Sequence, residues 1–334
     1  MPEEPVQRIV WEKGRKRRRS RLRKSTTRYL NYLLIRIFHA IVSRLPLAMG
    51  RGLAWFLGTL GYFLFPRERA IARDGLTRVY GGERSPAEIR GMVRDVFRHA
   101  VGIVIDWLIL RKWSPEKIER VFPEPARAIR ELAAVRATSE GVVGITSHLG
   151  NWEVLGVFFN HFAPGTLVPI AQRVYYSRFQ DFLHRLRTEA GGEIIYTDES
   201  PRRMIRALED GKVLGFLPDQ DVRTNSGVFV DFFGLPAYTV TFPVQLARKL
   251  DLKMGFAILV REGKSFRFTY RWPIAVPATD DKDADLLAGS EAWTRILEEE
   301  IRKRPTQWSW LHPRWRTTPA QPRRRVVRAE KGKG

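Results

Sequence analysis

Cysteine is absent from this 334-residue chain. That excludes disulfides, thiolate metal sites and cysteine nucleophiles, and fits a reducing compartment without requiring one. Histidine is scarce, with six residues in all. No Gly-x-Ser-x-Gly elbow occurs, so the strand-to-helix serine nucleophile is missing as well. Apolar runs long enough to cross a bilayer are also lacking. Arg36 and Arg44 interrupt segment 29–45, and segment 52–65 has only about three-quarters of the length a spanning helix requires. Neither reads as a signal peptide, because the apolar region starts late and no small-residue cleavage site follows.

Positive charge, by contrast, is abundant. Lys and Arg number 58 against 36 Asp and Glu, giving a formal charge of +22. This predicts an anionic partner: nucleic acid, a phospholipid surface, or an acidic protein or substrate. Hydrophobic residues make up 44% and aromatic residues 11%, which is the composition of a folded chain. The length allows one large or two modest domains.

The charge is unevenly distributed. The runs at 13–24 and 323–334 are almost solid Arg and Lys, and read as solvated basic tails at 1–26 and 319–334. Segments 29–45 and 52–65 adjoin the first run. An apolar hairpin beside a polybasic stretch suggests a chain lying on an anionic membrane, with a buried helical hairpin as the alternative. Residues 27–137 read as one helical, membrane-associated region. Within it, Ser85-Pro86-Ala87-Glu88 predicts a capped helix start, and the apolar spacing runs on to about Leu110, enclosing the lone acid Asp106.

From about residue 138 to 318 the pattern becomes α/β: a mixed, mainly parallel sheet flanked by helices. Apolar runs of strand length alternate with helical stretches, and the last two strands turn at Glu262-Gly263-Lys264. In such sheets ligands sit beyond the carboxyl ends of the strands. His148, Arg173, Asp219 and Asp221 all follow predicted strands, so they are expected to converge on one edge. His161 and His184 lack such a setting and are expected to be structural or solvated.

His148 opens the stretch His-Leu-Gly-Asn-Trp-Glu. If a helix begins near Asn151, the chain doubles back and Glu153 in its first turn is expected to reach the imidazole. A carboxylate on one ring nitrogen would fix the tautomer and leave the other nitrogen as a general base. Gly150 permits a tight turn, and free amides at Gly150 and Asn151 are expected to face an oxyanion. With no serine elbow, the deprotonated group would belong to the substrate.

These residues resemble the His-x4-Glu motif of the lipid A biosynthesis acyltransferases, within the wider glycerolipid acyltransferase-like fold. The resemblance spans roughly residues 45–316. It includes Phe-Leu-Pro-Asp-Gln-Asp at 216–221, the block at 232–248 and Gln-Trp-Ser-Trp-Leu-His-Pro-Arg-Trp at 307–315. It implies a bacterial inner-membrane enzyme, on the cytoplasmic face, that moves an acyl chain from acyl carrier protein or coenzyme A to a glycolipid hydroxyl. No metal or bound cofactor is implied. His148 would be the base, Glu153 its partner, Asp219 a supporting acid and Arg173 the arginine that orients a phosphate or carbonyl. The family usually has Arg-Pro where this chain has Gln172-Arg173-Val174, so Arg178 is a second candidate for that role.

Two rival readings follow from the residues alone. Asp219-Gln220-Asp221 is the spacing with which some glycosyltransferases hold a divalent metal and a sugar nucleotide. The basic tails would also suit a nucleic-acid-binding protein, although no nucleic-acid motif accompanies them. In the C-terminal block, Trp308 and Trp310 are expected in the core, and His312 and Arg314 are candidates to face an anionic substrate. Apolar surfaces near the strand ends are expected to form a tunnel for one acyl chain.

Overall fold

The computed structural model describes residues 26–123, 130, 141–189, 191–222 and 226–320. The basic runs at 13–24 and 323–334 lie outside the described residues.

The first part is helical. Helix α1 covers 26–42, and α2 (Leu47–Leu64), α3 (Pro66–Tyr80), α4 (Pro86–Leu110) and α5 (Pro115–Glu119) follow. The capping box predicted for α4 is present. Ser85 Oγ accepts from the Glu88 amide at 3.3 Å, and Glu88 Oε2 accepts from the Ser85 amide at 2.8 Å. Helix α2 lies directly against α4 because Gly58 gives it no bulk there; a Cβ at that position would sit 2.4 Å from Arg98 Cα. The second half of α4, from Ile103 to Leu110, is almost entirely buried.

The α/β part follows in the order β1 (Val142–Ile145), α6 (Trp152–Phe162), β2 (Leu167–Ala171), α7 (Ser177–Thr188), β3 (Ile195–Tyr196), α8 (Pro201–Glu209) and β4 (Val213–Phe216). Then come β5 (Gly227–Phe232), β6 (Leu235–Val240), α9 (Phe242–Lys249), β7 (Met254–Glu262), β8 (Ser265–Ile274) and α10 (Lys282–Lys303), with a 3-10 turn at Pro305–Gln307. The main sheet has the order β3-β2-β4-β1-β7-β8. It is parallel throughout except for the β7–β8 pair, which turns at Gly263 and Lys264 as the sequence predicts. Strands β5 and β6 form a separate antiparallel ribbon.

The order explains the layers. Strands β1, β2 and β3 progress toward one edge, so right-handed crossovers put α6 and α7 on one face; the return to β4 and on to β7 puts α8 and α9 on the other. Accordingly two apolar clusters form. One joins α3, α8, α9 and α10 to the sheet through Leu214, Phe256, Val244 and Trp293. The other joins α6, α7 and the end of α4 through Phe158, Phe182 and Ile109.

Along α1 and α2 many large apolar side chains face outward, among them Leu34, Ile37, Trp55, Phe56, Phe63 and Leu64, with Phe63 62% exposed. No helix among the described residues is long and apolar enough to cross a membrane.

Candidate functional site

Strand β1 ends at Ile145, and its pairing with β4 continues one step through the Thr146 amide, which donates to Phe216 O at 2.8 Å. Three residues past the strand, His148 is held on three sides. Its Nδ1 lies 2.7 Å from Asp219 Oδ1, and its amide donates to Asp219 Oδ2 at 2.8 Å. Its carbonyl accepts from the Ser309 amide at 3.0 Å. A carboxylate can only accept here, so Nδ1 carries the proton and Nε2 is the free basic nitrogen. His148 lines the wall of a large cavity, with the Trp152 ring edge-on at 4.7 Å.

Asp219 is 1% exposed and takes a further bond from Trp308 Nε1, 2.9 Å from Oδ2. Burial alone would raise its carboxyl. The His148 charge and the bonds from the ring, the indole and the His148 amide outweigh that and hold the pKa below the ordinary Asp value. Asp219 is therefore a carboxylate fixed by three donors. Trp308→Phe keeps an aromatic ring in the core but removes one of them, and is expected to destabilise the fold by about 1.5–3 kcal/mol. Denaturant unfolding at neutral pH measures this; an unchanged midpoint would mean the indole bond contributes nothing.

Glu153 does not reach the imidazole, which corrects the sequence-based expectation. Helix α6 starts directly after Asn151, and its first turn aims Glu153 at α7. There its carboxylate takes a bidentate pair from Arg187, with Nε 3.1 Å from Oε2 and Nη2 against Oε1. Burial would lower the Arg187 pKa, but Glu153 outweighs it and raises it instead.

The amides of Gly150 and Asn151 are not free either. Gly150 donates to Gln307 O at 3.0 Å and Asn151 to Leu259 O at 2.7 Å, so neither faces an oxyanion. What these residues do is lock the turn. Gly150 has φ +71°, and a Cβ there would fall 2.2 Å from Leu259 O. Asn151 Oδ1 caps α6 through the Val154 amide, and its Nδ2 donates to Ile103 O. From α4, buried His99 donates Nε2–H to Gly150 O at 3.0 Å. Burial, assisted by the Arg261 charge, lowers the His99 pKa to about 4. Gln307 completes the clamp, its side-chain amide bonding both the amide and the carbonyl of Arg261 on β7.

The remaining candidates lie away from the cavity wall. Arg173 turns to the β3 edge, where Nε bonds Asp198 at 3.0 Å, Nη2 bonds Glu199 at 2.9 Å and the guanidinium sits 4.0 Å over the Tyr196 ring. Arg178 stacks over Tyr29 at 5.2 Å. Arg314, 2% exposed, bonds Tyr238 O and Thr239 Oγ1 on β6; burial lowers its pKa to about 10, which leaves it charged. His312 is half-buried, and burial lowers its pKa. None of the four lines the cavity as expected of a substrate contact. Asp221 is buried and accepts from the amide and hydroxyl of Thr317. Asp219 and Asp221 thus serve separate protein donors, and no group of three metal-ligating side chains occurs among the described residues. The metal-and-sugar-nucleotide reading gains no support from this geometry.

The cavity has a volume of about 1430 Å³. Its floor is formed by the β1, β4 and β2 lines, with Gly144, Ile145 and Thr146, Val213, Gly215, Phe216 and Leu217, and Leu167, Pro169, Ile170 and Ala171 all contributing. Helices α6 and α7 and the end of α4 wall it with Leu155, Phe159, Leu183, Leu186, Trp107 and Leu110. His148 stands at its strand-end mouth. A neutral imidazole held by a carboxylate beside an apolar-walled slot can deprotonate a hydroxyl while a neighbouring chain is held out of water.

Residues 16–317 match the family model for bacterial lipid A biosynthesis acyltransferases. The chain is 27% identical over 249 residues to a phosphatidylinositol mannoside acyltransferase of Mycobacterium tuberculosis, covering 71% of this chain and 70% of the relative. It is 26% identical over 300 residues to the lipid A biosynthesis lauroyltransferase of Escherichia coli, covering 87% and 92%. A myristoyltransferase of lipid A biosynthesis from the same organism is 25% identical over 240 residues, 69% of each chain.

Proposed function

The chain belongs to the bacterial lipid A biosynthesis acyltransferase family and is an enzyme that transfers acyl groups to a glycolipid; from this we propose that it does so by direct attack, with His148 and Asp219 as the working pair. The observation that supports this most is the 2.7 Å contact between His148 Nδ1 and the buried Asp219 carboxylate at the mouth of the cavity.

An acceptor hydroxyl placed at His148 Nε2 gives up its proton as its oxygen attacks the thioester carbonyl. The imidazolium so formed is stabilised by Asp219. The tetrahedral intermediate collapses, the C–S bond breaks, and the imidazolium returns the proton to the leaving thiolate. Base catalysis of this kind supplies about 10²–10⁴-fold. Holding the acyl chain in the slot and the hydroxyl at its mouth supplies much of the rest.

The donor we propose is a thioester of acyl carrier protein or coenzyme A. The acceptor is a lipid A precursor, or a related glycolipid such as the mannoside named for one relative. Both suit a chain of charge +22, since acyl carrier proteins are acidic and these acceptors carry phosphate. Mass spectrometry of each acceptor incubated with each donor tests this, with His148→Ala run alongside. An acyl-sized mass gain that disappears in the variant is expected. No gain with any pairing, or a gain the variant retains, would overturn the reading.

We also propose that the exposed apolar face of α1 and α2 seats the enzyme on the cytoplasmic face of an anionic inner membrane. Single exposed apolar residues are ordinary, but this run of them is contiguous along two helices. Each large side chain buried in the interface contributes about 1.5–3 kcal/mol. Phe63→Asp with Leu64→Asp is therefore expected to weaken co-sedimentation with phosphatidylglycerol-containing vesicles by more than about ten-fold. Equal sedimentation of the double variant would contradict it.

A further inference from the structure

Gly156 sits in the middle of α6, where glycine is a poor helix former. Two glycines of α2, Gly50 and Gly58, have an evident packing reason, since a Cβ there would strike α4 at 2.3–2.4 Å. Gly156 has none: a Cβ built on it meets no heavy atom within 4 Å. The space it leaves open is the cavity, which Gly156 lines.

Its position within the slot follows from helix geometry. Glu153, Gly156 and Asn160 are spaced at successive turns and all line the cavity, so they form one stripe of the roof. Helix α6 runs back from the catalytic turn, which puts Gly156 about 7–8 Å deeper than Asn151. Across the cavity lies the sheet, where the side chains of Val213 and Leu167 close over two glycines. Gly144 of β1 and Gly215 of β4 are in-register neighbours, and both line the cavity. Gly156 therefore leaves a gap in the α6 roof between Glu153 and Asn160, beside the apolar side chains of Leu155, Phe159 and Leu186. The apolar side chains beside this gap suit an acyl chain.

We propose that Gly156 is a specificity-determining residue: it keeps the acyl slot open part-way down, so that acyl chains longer than the distance from His148 to the α6 roof can be accepted. This rests on the acyl-transfer reading above. Gly156→Leu fills the roof stripe from within the cavity without displacing any protein atom near the Cβ. The donor chain that reacts best becomes shorter as a result. Each methylene excluded from burial weakens long-chain use by about four-fold.

The experiment measures kcat/KM for thioesters from octanoyl to palmitoyl with the full chain, for wild type, Gly156→Ala and Gly156→Leu. A second readout, independent of catalysis, is the thermal shift given by the free fatty acids of the same lengths. The palmitoyl-to-octanoyl ratio is expected to fall by about a hundred-fold or more in Gly156→Leu, with an intermediate change in Gly156→Ala. The long-chain thermal shift should be lost in parallel, and the melting temperature of unliganded Gly156→Ala should be unchanged or raised. Equal losses for all chain lengths, or a rise in acceptor KM alone, would overturn the assignment of Gly156 to the acyl slot. If the wild type transfers no acyl group, the reaction reading fails. The fatty-acid series then decides the slot by itself: length discrimination that Gly156→Leu truncates upholds it, and its absence overturns it.

Discussion

Asp219→Asn is expected to lower kcat/KM for acyl transfer by about 10⁴-fold with the chain still folded, a loss of the size found when the acid of a catalytic triad is amidated. The direction of the new amide is set by what surrounds it. Two donors, the His148 amide and Trp308 Nε1, converge on Oδ2. The asparagine oxygen must take that place, which turns its NH₂ toward the ring where Oδ1 had been. Nδ1 then becomes the acceptor and the proton moves to Nε2, leaving no lone pair for the acceptor hydroxyl. Single-turnover rates with a preloaded thioester measure this directly, and circular dichroism confirms that the fold is retained. A loss below about ten-fold would mean that Asp219 does not set the tautomer.

The second large effect is on stability rather than rate. His99 is buried against the catalytic turn, and its pKa falls from the ordinary 6.5 to about 4. Above pH 6.5 both folded and unfolded chains hold it neutral, and it has no influence on the equilibrium. As pH falls below 6.5 the unfolded chain takes up the proton and the folded chain does not, so stability is lost progressively until about pH 4. The shift corresponds to about 3 kcal/mol over that window. His99→Gln keeps a donor for Gly150 O without titrating. Denaturant unfolding at pH 7 and pH 4.5 should show a steeper loss in wild type than in the variant. Parallel losses in the two proteins would contradict the buried, neutral state of His99.

Much of the architecture is legible in the residues because it rests on local signals. The capping box at Ser85 and Glu88, the hairpin turn at Gly263 and Lys264, and the alternation of strand-length apolar runs with helices all reappear in the fold. The edge on which His148 and Asp219 meet could also be foreseen, since parallel strands bring their carboxyl ends together. The choice between two carboxylates could not. Glu153 is five residues from His148 and Asp219 is 71 away, yet strand register decides the pairing: β4 lies beside β1 and delivers Asp219 to the ring. Glu153 is drawn off by Arg187, a partner from a helix on another part of the chain.

The oxyanion expectation failed for the same reason. The amides of Gly150 and Asn151 look free in sequence, but the 3-10 turn and β7 lie close enough to occupy both. Arg314 shows a different limit. An arginine in an aromatic, basic block reads as a contact for an anionic substrate, whereas here it fastens the β6 strand from inside. Gly156 carries no signal in the sequence, because its meaning depends on the cavity beside it.

The most direct test of the His148–Asp219 pair is to measure kcat/KM for Asp219→Asn and Glu153→Gln side by side on one donor and one glycolipid acceptor. Glu153→Gln weakens one bidentate ion pair that does not touch the ring but keeps a neutral acceptor for Arg187, and is expected to stay within about ten-fold of wild type, the effect of roughly one ordinary hydrogen bond. Asp219→Asn is expected to fall by about 10⁴-fold. The reverse pattern, with Glu153→Gln inactive through lost chemistry and Asp219→Asn nearly intact, would contradict Asp219 as the partner of the catalytic histidine.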